Sequence, residues 1–283
     1  MPTLPPRATW LWLVEAALAE DLGPGDATSL ALLSPGDRGA AVLEARAEIA
    51  VCGLEIAREV FALRGVACEL AAADGDVVEP KAPLAHVRGA SLGILEAERT
   101  ALNFVQRLSG VATLTRRFCA AVRGTRAAIV DTRKTTPGFR TLEKYAVRCG
   151  GGRNHRMALY DGILIKDNHI AAVGSVGAAV ARARERGSPH LRVRVEVESL
   201  AQAREALDAG ADALLVDNQP PSAISAIVAE ARGRALVEAS GGVTLESVGA
   251  IARTGVDEIS VGALTHSAPA ADVALEWTAR SSS

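Results

Sequence analysis

Apolar positions change rhythm about midway along the chain. Early on, Leu11, Val14, Leu18 and Leu22 recur at helical spacing, with Thr9 as the N-cap, and Gly23-Pro24-Gly25-Asp26 stops the helix. Residues 39–51 alternate through Val42, Leu43, Ala45 and Ile49 as a strand, and 54–64 read as a helix. Short strands follow at 66–72, Val77-Val78 and Leu84 to Val87, around the tight turn Asp74-Gly75-Asp76. This layout predicts a small antiparallel sheet with a few helices. A long helix then runs from Ser91 to about Arg123 on Leu92, Leu95, Leu102, Val105 and Leu108, with Gly110 as a point of division.

From residue 127 short Val/Ile/Leu runs alternate with Ala-rich amphipathic segments. Strands are expected at 127–130, 162–165, 192–197, 213–216, 234–238 and 257–261, and helices at 141–149, 175–186, 199–209, 220–232 and 244–253. Apolar strands separated by helices imply βα units and a parallel sheet. A closed eight-stranded barrel takes roughly 200–250 residues, so 127–262 fits an incomplete six-stranded α/β barrel. A flat doubly wound sheet is the competing topology; no G-x-G-x-x-G follows the first strand, which weakens a dinucleotide fold. Val273, Leu275 and Trp277 at period two predict a last strand that returns to the N-terminal sheet. The expected boundaries are 1–112 for the first domain, joined by the tail 269–283, and 113–268 for the barrel.

Composition narrows the class. The 283 residues are 49% hydrophobic and 23% charged with a net charge of −2, which supports a sizeable core and excludes general disorder. No uncharged apolar run reaches about 18 residues and no cleavage-site pattern follows Trp12, so neither a membrane span nor a signal peptide is expected. The four Cys (52, 68, 119, 149) form no CxxC, which predicts reduced thiols in a cytoplasm, without a zinc site or disulfide framework. Aromatics at 3% and near-neutral charge argue against nucleic-acid binding by base stacking. Of 31 basic residues only Lys81, Lys134, Lys144 and Lys166 are Lys, and three of these lie between 134 and 166. A compact ammonium and a planar guanidinium are not interchangeable, so the cluster marks a stretch where chemistry sits.

Each barrel strand is followed by polar residues or glycine: Asp131-Thr132-Arg133-Lys134, Lys166-Asp167-Asn168-His169, Glu196 with Glu198 beyond, Asp217-Asn218, Ser240-Gly241-Gly242 and Gly262. One such end is ordinarily a solvated terminus; six in register point to the catalytic face of a barrel. Cations come first (Arg133, Lys134, Arg140, Arg153, His155, Arg156, Lys166), acids next (Glu196, Asp217), glycines last. That order suits a ligand with several negative groups plus a divalent metal or a polyhydroxyl part. Ser240-Gly241-Gly242 ahead of Thr244 is either a plain turn or a phosphate seat of backbone N–H groups. Gly150 to Gly152 is either a linker or a mobile loop that delivers Arg153, His155 and Arg156. His266 is placed on the catalytic face, whereas Glu96, Glu98 and Arg99 read as surface salt bridges on the long helix.

These motifs resemble the quinolinate phosphoribosyltransferase family over nearly the whole chain: Glu98 to Thr113, Asp131 to Arg140, Gly152 to Arg156, Leu164 to His169, Val195 to Leu200, Leu215 to Asn218, Ser240 to Gly242 and Val261 to Ser267. The resemblance implies an N-terminal open-faced sandwich domain beside the incomplete barrel. It implies transfer of phosphoribosyl from phosphoribosyl pyrophosphate to quinolinate with Mg²⁺, giving nicotinate mononucleotide, pyrophosphate and CO₂. It also implies a homodimer in which one subunit's N-terminal region closes the other's active site; whether dimers assemble further into a hexamer is left open. By position, Arg133, His155, Arg156 and Lys166 would face the quinolinate carboxylates, with Arg99 reaching them from a partner subunit. Lys134 with Lys166 would bind pyrophosphate, Glu196 and Asp217 the ribose hydroxyls and magnesium, and Ser240, Gly241 and Gly262 the 5′-phosphate. Met157-Ala158, where a Gly is expected second, and a Thr-poor Asp26 to Leu30 depart from the pattern. A paralogue associated with molybdenum transport shares the fold but is expected to lose the Lys-Asp-Asn-His segment, which stands intact here at Lys166 to His169.

Overall fold

The computed structural model describes residues 2–281. After a short 3-10 turn, the first part of the chain forms α1 (Leu11–Leu22), α2 (Ala27–Leu32), β1 (Arg38–Ala45), β2 (Ile49–Ala50), α3 (Leu54–Leu63), β3 (Ala67–Leu70), β4 (Val77–Val78), β5 (Pro83–Ala90) and α4 (Ser91–Ala121). There follow β6 (Ala128–Val130), α5 (Arg140–Cys149), β7 (Ile163–Ile165), α6 (Asp167–Val173), α7 (Val176–Arg186), β8 (Val193–Val197) and α8 (Leu200–Asp208). The chain continues through β9 (Ala213–Asp217), α9 (Pro221–Ala231), β10 (Leu236–Ser240), α10 (Leu245–Ala252), β11 (Glu258–Ser260), α11 (Ala263–His266) and β12 (Val273–Ser281). Two units result: residues up to 116 with 136–151 and those from 264 onward, and residues 117–135 with 152–263.

The first unit is built on an antiparallel sheet in the order β12-β1-β5-β3. Along β1, Ala41, Leu43 and Ala45 are buried while Val42 and Glu44 are half-buried, the alternation of a sheet with one covered face. Helix α3 packs on β3 and β5 with Leu54, Ile56, Val60 and Phe61 buried. Segment 136–151, carrying α5, belongs to this unit, and Glu143 and Lys144 on it are fully buried. Glu143 accepts hydrogen bonds from Arg107 Nε at 3.1 Å and the Thr136 N–H at 3.0 Å.

Several sequence expectations change here. Strand 39–51 divides into β1 and β2. Thr9 is not an N-cap: its hydroxyl donates to the Pro6 carbonyl at 2.7 Å, and α1 starts after Trp10 without a side-chain cap. Gly110 does not divide α4. A Cβ there would lie 2.0 Å from the Pro269 carbonyl oxygen, so the glycine permits a close backbone approach inside an unbroken helix. Glu96 is buried rather than a surface partner, and its carboxylate accepts from Arg64 Nε at 2.9 Å.

The second unit is a six-stranded parallel sheet in the order β6-β11-β10-β9-β8-β7. Successive βα units lie side by side, and only the consecutive pair β6 and β7 is not joined, which leaves the barrel incomplete. Ser175, Ser199 and Thr244 accept backbone N–H groups and cap α7, α8 and α10. Helix α6 was not anticipated; it begins at the Lys166 motif and is only 7 residues long. Strand β10 lies two residues later than expected, because Leu236 pairs with Ala213 and the preceding residues turn through Arg234 N–H to Ala231. Ser240 thus closes the strand and faces Asp217 across the ladder. Among the described residues, no helix is long and apolar enough to cross a membrane.

Candidate active site

The strand ends of the second unit surround a cavity of about 400 Å³. Arg133, Lys134, His155, Arg156, Lys166, Asp217, Ser240 and Gly241 all line it. Glu196 does not line it, but its Oε2 lies 2.8 Å from Lys166 Nζ. Gly262 follows β11 at the same end of the sheet. Arg99 is exposed on α4 in the first unit. His266 is exposed in the first unit, its Nδ1 2.6 Å from Ser267 Oγ, and is not part of the cavity wall.

The Gly152 to Arg156 segment is laced to β6. Arg153 N–H donates to the Ile129 carbonyl at 2.8 Å, Asp131 N–H to the Arg153 carbonyl at 3.2 Å, and His155 N–H to Asp131 Oδ1 at 2.9 Å. Asn154 adds a bond to Asp131 Oδ2 at 2.5 Å. Asp131 is fully buried, so its carboxylate acts as the anchor that presents His155 and Arg156. After them, Asp161 accepts from the Met157 and Ala158 N–H groups at 2.6 and 2.8 Å and closes the turn that departs from the family pattern.

The cationic wall is crowded. Burial, first, and then the neighbouring charges of Arg133 and Arg194 push the Arg156 guanidinium below its ordinary value, only partly opposed by Asp161. Arg133 Nε is buried and has no hydrogen-bond partner among the described residues. A buried donor of this kind is costly unless a ligand completes it. Like charges held together in a cavity favour an anion with more than one negative group.

His155 sits differently from the guanidinium groups. Its Nδ1 accepts the Arg156 N–H at 2.8 Å and its Nε2 lies 3.2 Å from Glu238 Oε2. The ring therefore carries its proton on Nε2 and donates it to Glu238. Glu238 lines the cavity and is 1% exposed, and the pattern of polar strand ends did not point to it. The same carboxylate pairs with Arg194, whose guanidinium also reaches Glu258 Oε2 at 2.9 Å. An acid among the apolar residues of β10 was the available signal.

The ends of β9 and β10 are fitted to each other. Asn218 takes up φ 52°, its N–H donates to the Ser240 carbonyl at 2.9 Å, and its Nδ2 donates to Asp217 Oδ2 at 2.6 Å. Gly241 stands at φ 91°, and a Cβ there would lie 2.3 Å from Asn218 Oδ1. Only glycine satisfies both conditions. Gly242 also has positive φ, at 58°; successive residues turned this way aim N–H groups into a concavity that suits an anion. His169 has a local role, since its Nδ1 accepts the Lys166 N–H at 3.0 Å and braces the start of α6.

A parallel α/β barrel with a polycationic pocket and a glycine seat at its strand ends defines an enzyme of the phosphoribosyl-transferring class. Family models confirm the particular group: "Quinolinate phosphoribosyl transferase, N-terminal domain" matches residues 26–109 and "Quinolinate phosphoribosyl transferase, C-terminal domain" matches 111–276. The chain belongs to the quinolinate phosphoribosyltransferase family. It is 44% identical over 261 residues to the probable nicotinate-nucleotide pyrophosphorylase [carboxylating] of Bacillus subtilis, covering 92% of this chain and 90% of that one. The Mycobacterium leprae relative of the same name is 44% identical over 271 residues, covering 93% and 95%. The solved nicotinate-nucleotide pyrophosphorylase from Francisella tularensis superposes with a TM-score of 0.91 at 39% identity, covering 97% of this chain and 98% of that one.

Proposed function

We propose that this chain transfers the phosphoribosyl group of phosphoribosyl pyrophosphate to quinolinate, with loss of CO₂, to give nicotinate mononucleotide and pyrophosphate for NAD biosynthesis. The observation that carries the reading is the convergence of Arg133, Arg156 and Lys166 on one cavity that Asp217 and Gly241 also line. A dianionic acid would sit against the cations and a ribose phosphate against the acid and glycine end.

In this reading Arg133 and Arg156 orient the two carboxylates, and His155, held between the Arg156 N–H and Glu238, fixes the wall beside them. The pyridine nitrogen attacks the anomeric carbon as its bond to pyrophosphate breaks, through an oxocarbenium-like state. Glu196 and Asp217 stabilise the positive charge on the ribose, and Lys134 and Lys166 take up negative charge on the leaving group. Alignment of the two substrates supplies much of the acceleration, so no protein nucleophile is required. In the pyridinium product, loss of the adjacent carboxylate as CO₂ leaves its bonding electrons on the ring carbon, where a proton replaces it.

The donor set fits Mg²⁺. Glu196 and Asp217 offer carboxylate oxygens at the ends of the adjacent strands β8 and β9, the hard ligands that ion selects. They would hold it directly or through water, and when bound it neutralises pyrophosphate charge. We further place Arg99 across a homodimer interface at the quinolinate end of the partner's cavity, and the enzyme in the cytoplasm, where cysteines outside disulfides persist.

The test is purified chain with phosphoribosyl pyrophosphate, Mg²⁺ and either quinolinate or nicotinate. Nicotinate mononucleotide should form from quinolinate, with stoichiometric pyrophosphate and CO₂; its absence overturns the reading.

A further inference from the structure

The first unit holds a cluster that this chemistry does not use. Cys52, Asp74 and Cys149 each bring one ligand atom to a common point, all within 4.8 Å of one another. Cys52 and Cys149 are buried and Asp74 is half-buried. We propose that Cys52, Asp74 and Cys149 form a zinc site, with water in the fourth position.

The chemistry suits that ion. Zn²⁺ takes thiolate sulfur at about 2.3 Å and carboxylate oxygen at about 2.0–2.2 Å in a tetrahedron, which sets ligand atoms roughly 3.3–3.8 Å apart. That spacing lies inside the observed limit. Two sulfurs and one oxygen are too soft for Mg²⁺ or Ca²⁺.

The ligands are held before any ion arrives. Cys52 N–H donates to Ser109 Oγ at 2.9 Å and the same hydroxyl donates to the Cys52 carbonyl at 3.1 Å. Asp74 Oδ1 accepts the Leu54 N–H and Oδ2 accepts the Tyr145 hydroxyl, both at 3.0 Å. Tyr145 is one helical turn before Cys149, on the same face of α5. Hydrogen bonds that aim a ligating carboxylate are the usual support of a metal centre.

Charge also balances. Two thiolates and a carboxylate around a dication leave one negative charge. Arg148 lies over the Tyr145 ring, 5.6 Å from its centroid, and its buried Nε has no hydrogen-bond partner among the described residues. The guanidinium offsets that charge. Such a site would tie the end of α5 to the loop after β2 and the turn before β4, three segments far apart in sequence. That separation is why spacing alone indicated no zinc site.

Whole protein purified under reducing conditions, stripped with a chelator and titrated with Co²⁺ alone should bind one ion per chain with a sulfur-to-cobalt band in the near ultraviolet. Zn²⁺ should displace it and raise the melting temperature. The Cys52→Ser/Cys149→Ser chain, with Cys68 and Cys119 left in place, should lose the band, and Asp74→Asn should weaken Co²⁺ affinity at least tenfold. If the variants fail to fold, the wild-type spectrum and zinc-dependent melting shift decide alone. No sulfur-to-cobalt band, an equal band in a folded double variant, or a Cys52–Cys149 disulfide with no metal uptake after reduction would each overturn the proposal.

Discussion

Nε2 of His155 lies 3.2 Å from Oε2 of Glu238, and that buried carboxylate is shared with Arg194. Glu238 thereby sets which nitrogen of His155 holds the proton and keeps Arg194 in place behind it. Glu238→Gln removes the charge but not the shape. It should lower kcat/KM for quinolinate about tenfold, on the order of 1.4 kcal/mol, mainly through KM, with KM for phosphoribosyl pyrophosphate little changed. Steady-state kinetics with each substrate varied in turn would check this, and equal effects on both substrates would contradict the positioning role.

Gly241→Ala meets two obstacles, a backbone at φ 91° and a Cβ 2.3 Å from Asn218 Oδ1. The backbone term alone is of order 1–2 kcal/mol for an L-residue. KM for phosphoribosyl pyrophosphate should rise about tenfold or more and the melting temperature should fall. Adding Asn218→Gly removes the collision but not the strain, so it should recover part of the affinity. Recovery of none would mean that the collision is not what limits the seat.

The strand ends of the second unit were legible because βα alternation is a strong signal and because each apolar run ends in a polar residue. Arg133, Lys166, Asp217 and Ser240 could be found that way. Glu238 could not: it lies inside a strand, and its partner His155 is 83 residues away. Gly110 misled for a related reason. A glycine that breaks a helix and one that admits a neighbouring carbonyl are identical in sequence, and only the approach of Pro269 separates them. The three glycines at 150–152 read as a flexible loop, whereas the bonds from Arg153 and His155 to β6 are long-range pairings that periodicity does not encode.

Arg99 is exposed, and Lys166 lines the cavity with its ammonium on Glu196. If the partner's Arg99 completes the site, Arg99→Ala and Lys166→Ala damage different halves of a shared active site. Each homodimer should lose activity by about 10²-fold or more. Mixed dimers keep one intact site in two, so activity should return toward a quarter of wild type as subunits exchange to a statistical mixture. Labelled subunits would verify exchange, and no recovery after it would place Arg99 outside the partner's site.

Asp212 gives a prediction about acid stability. Burial alone would raise its carboxyl, but the Arg184 hydrogen bond, the Val193 N–H at 2.6 Å and the Arg184 charge outweigh it and hold the group below 3.8. A carboxyl lowered in the folded state adds stability above its unfolded value of 3.8, and that stability disappears as pH falls through the lower folded value. The side chain is 35% exposed, so solvent screening limits the contribution to about 1 kcal/mol or less. Asp212→Asn should therefore destabilise the chain near neutral pH, and the difference from wild type should shrink as pH falls below 3.8 and through the lower folded value. Urea unfolding of both chains across that range measures it. A difference that persists unchanged into acid would assign the effect to packing or neutral hydrogen bonding at this site, not to the carboxylate charge.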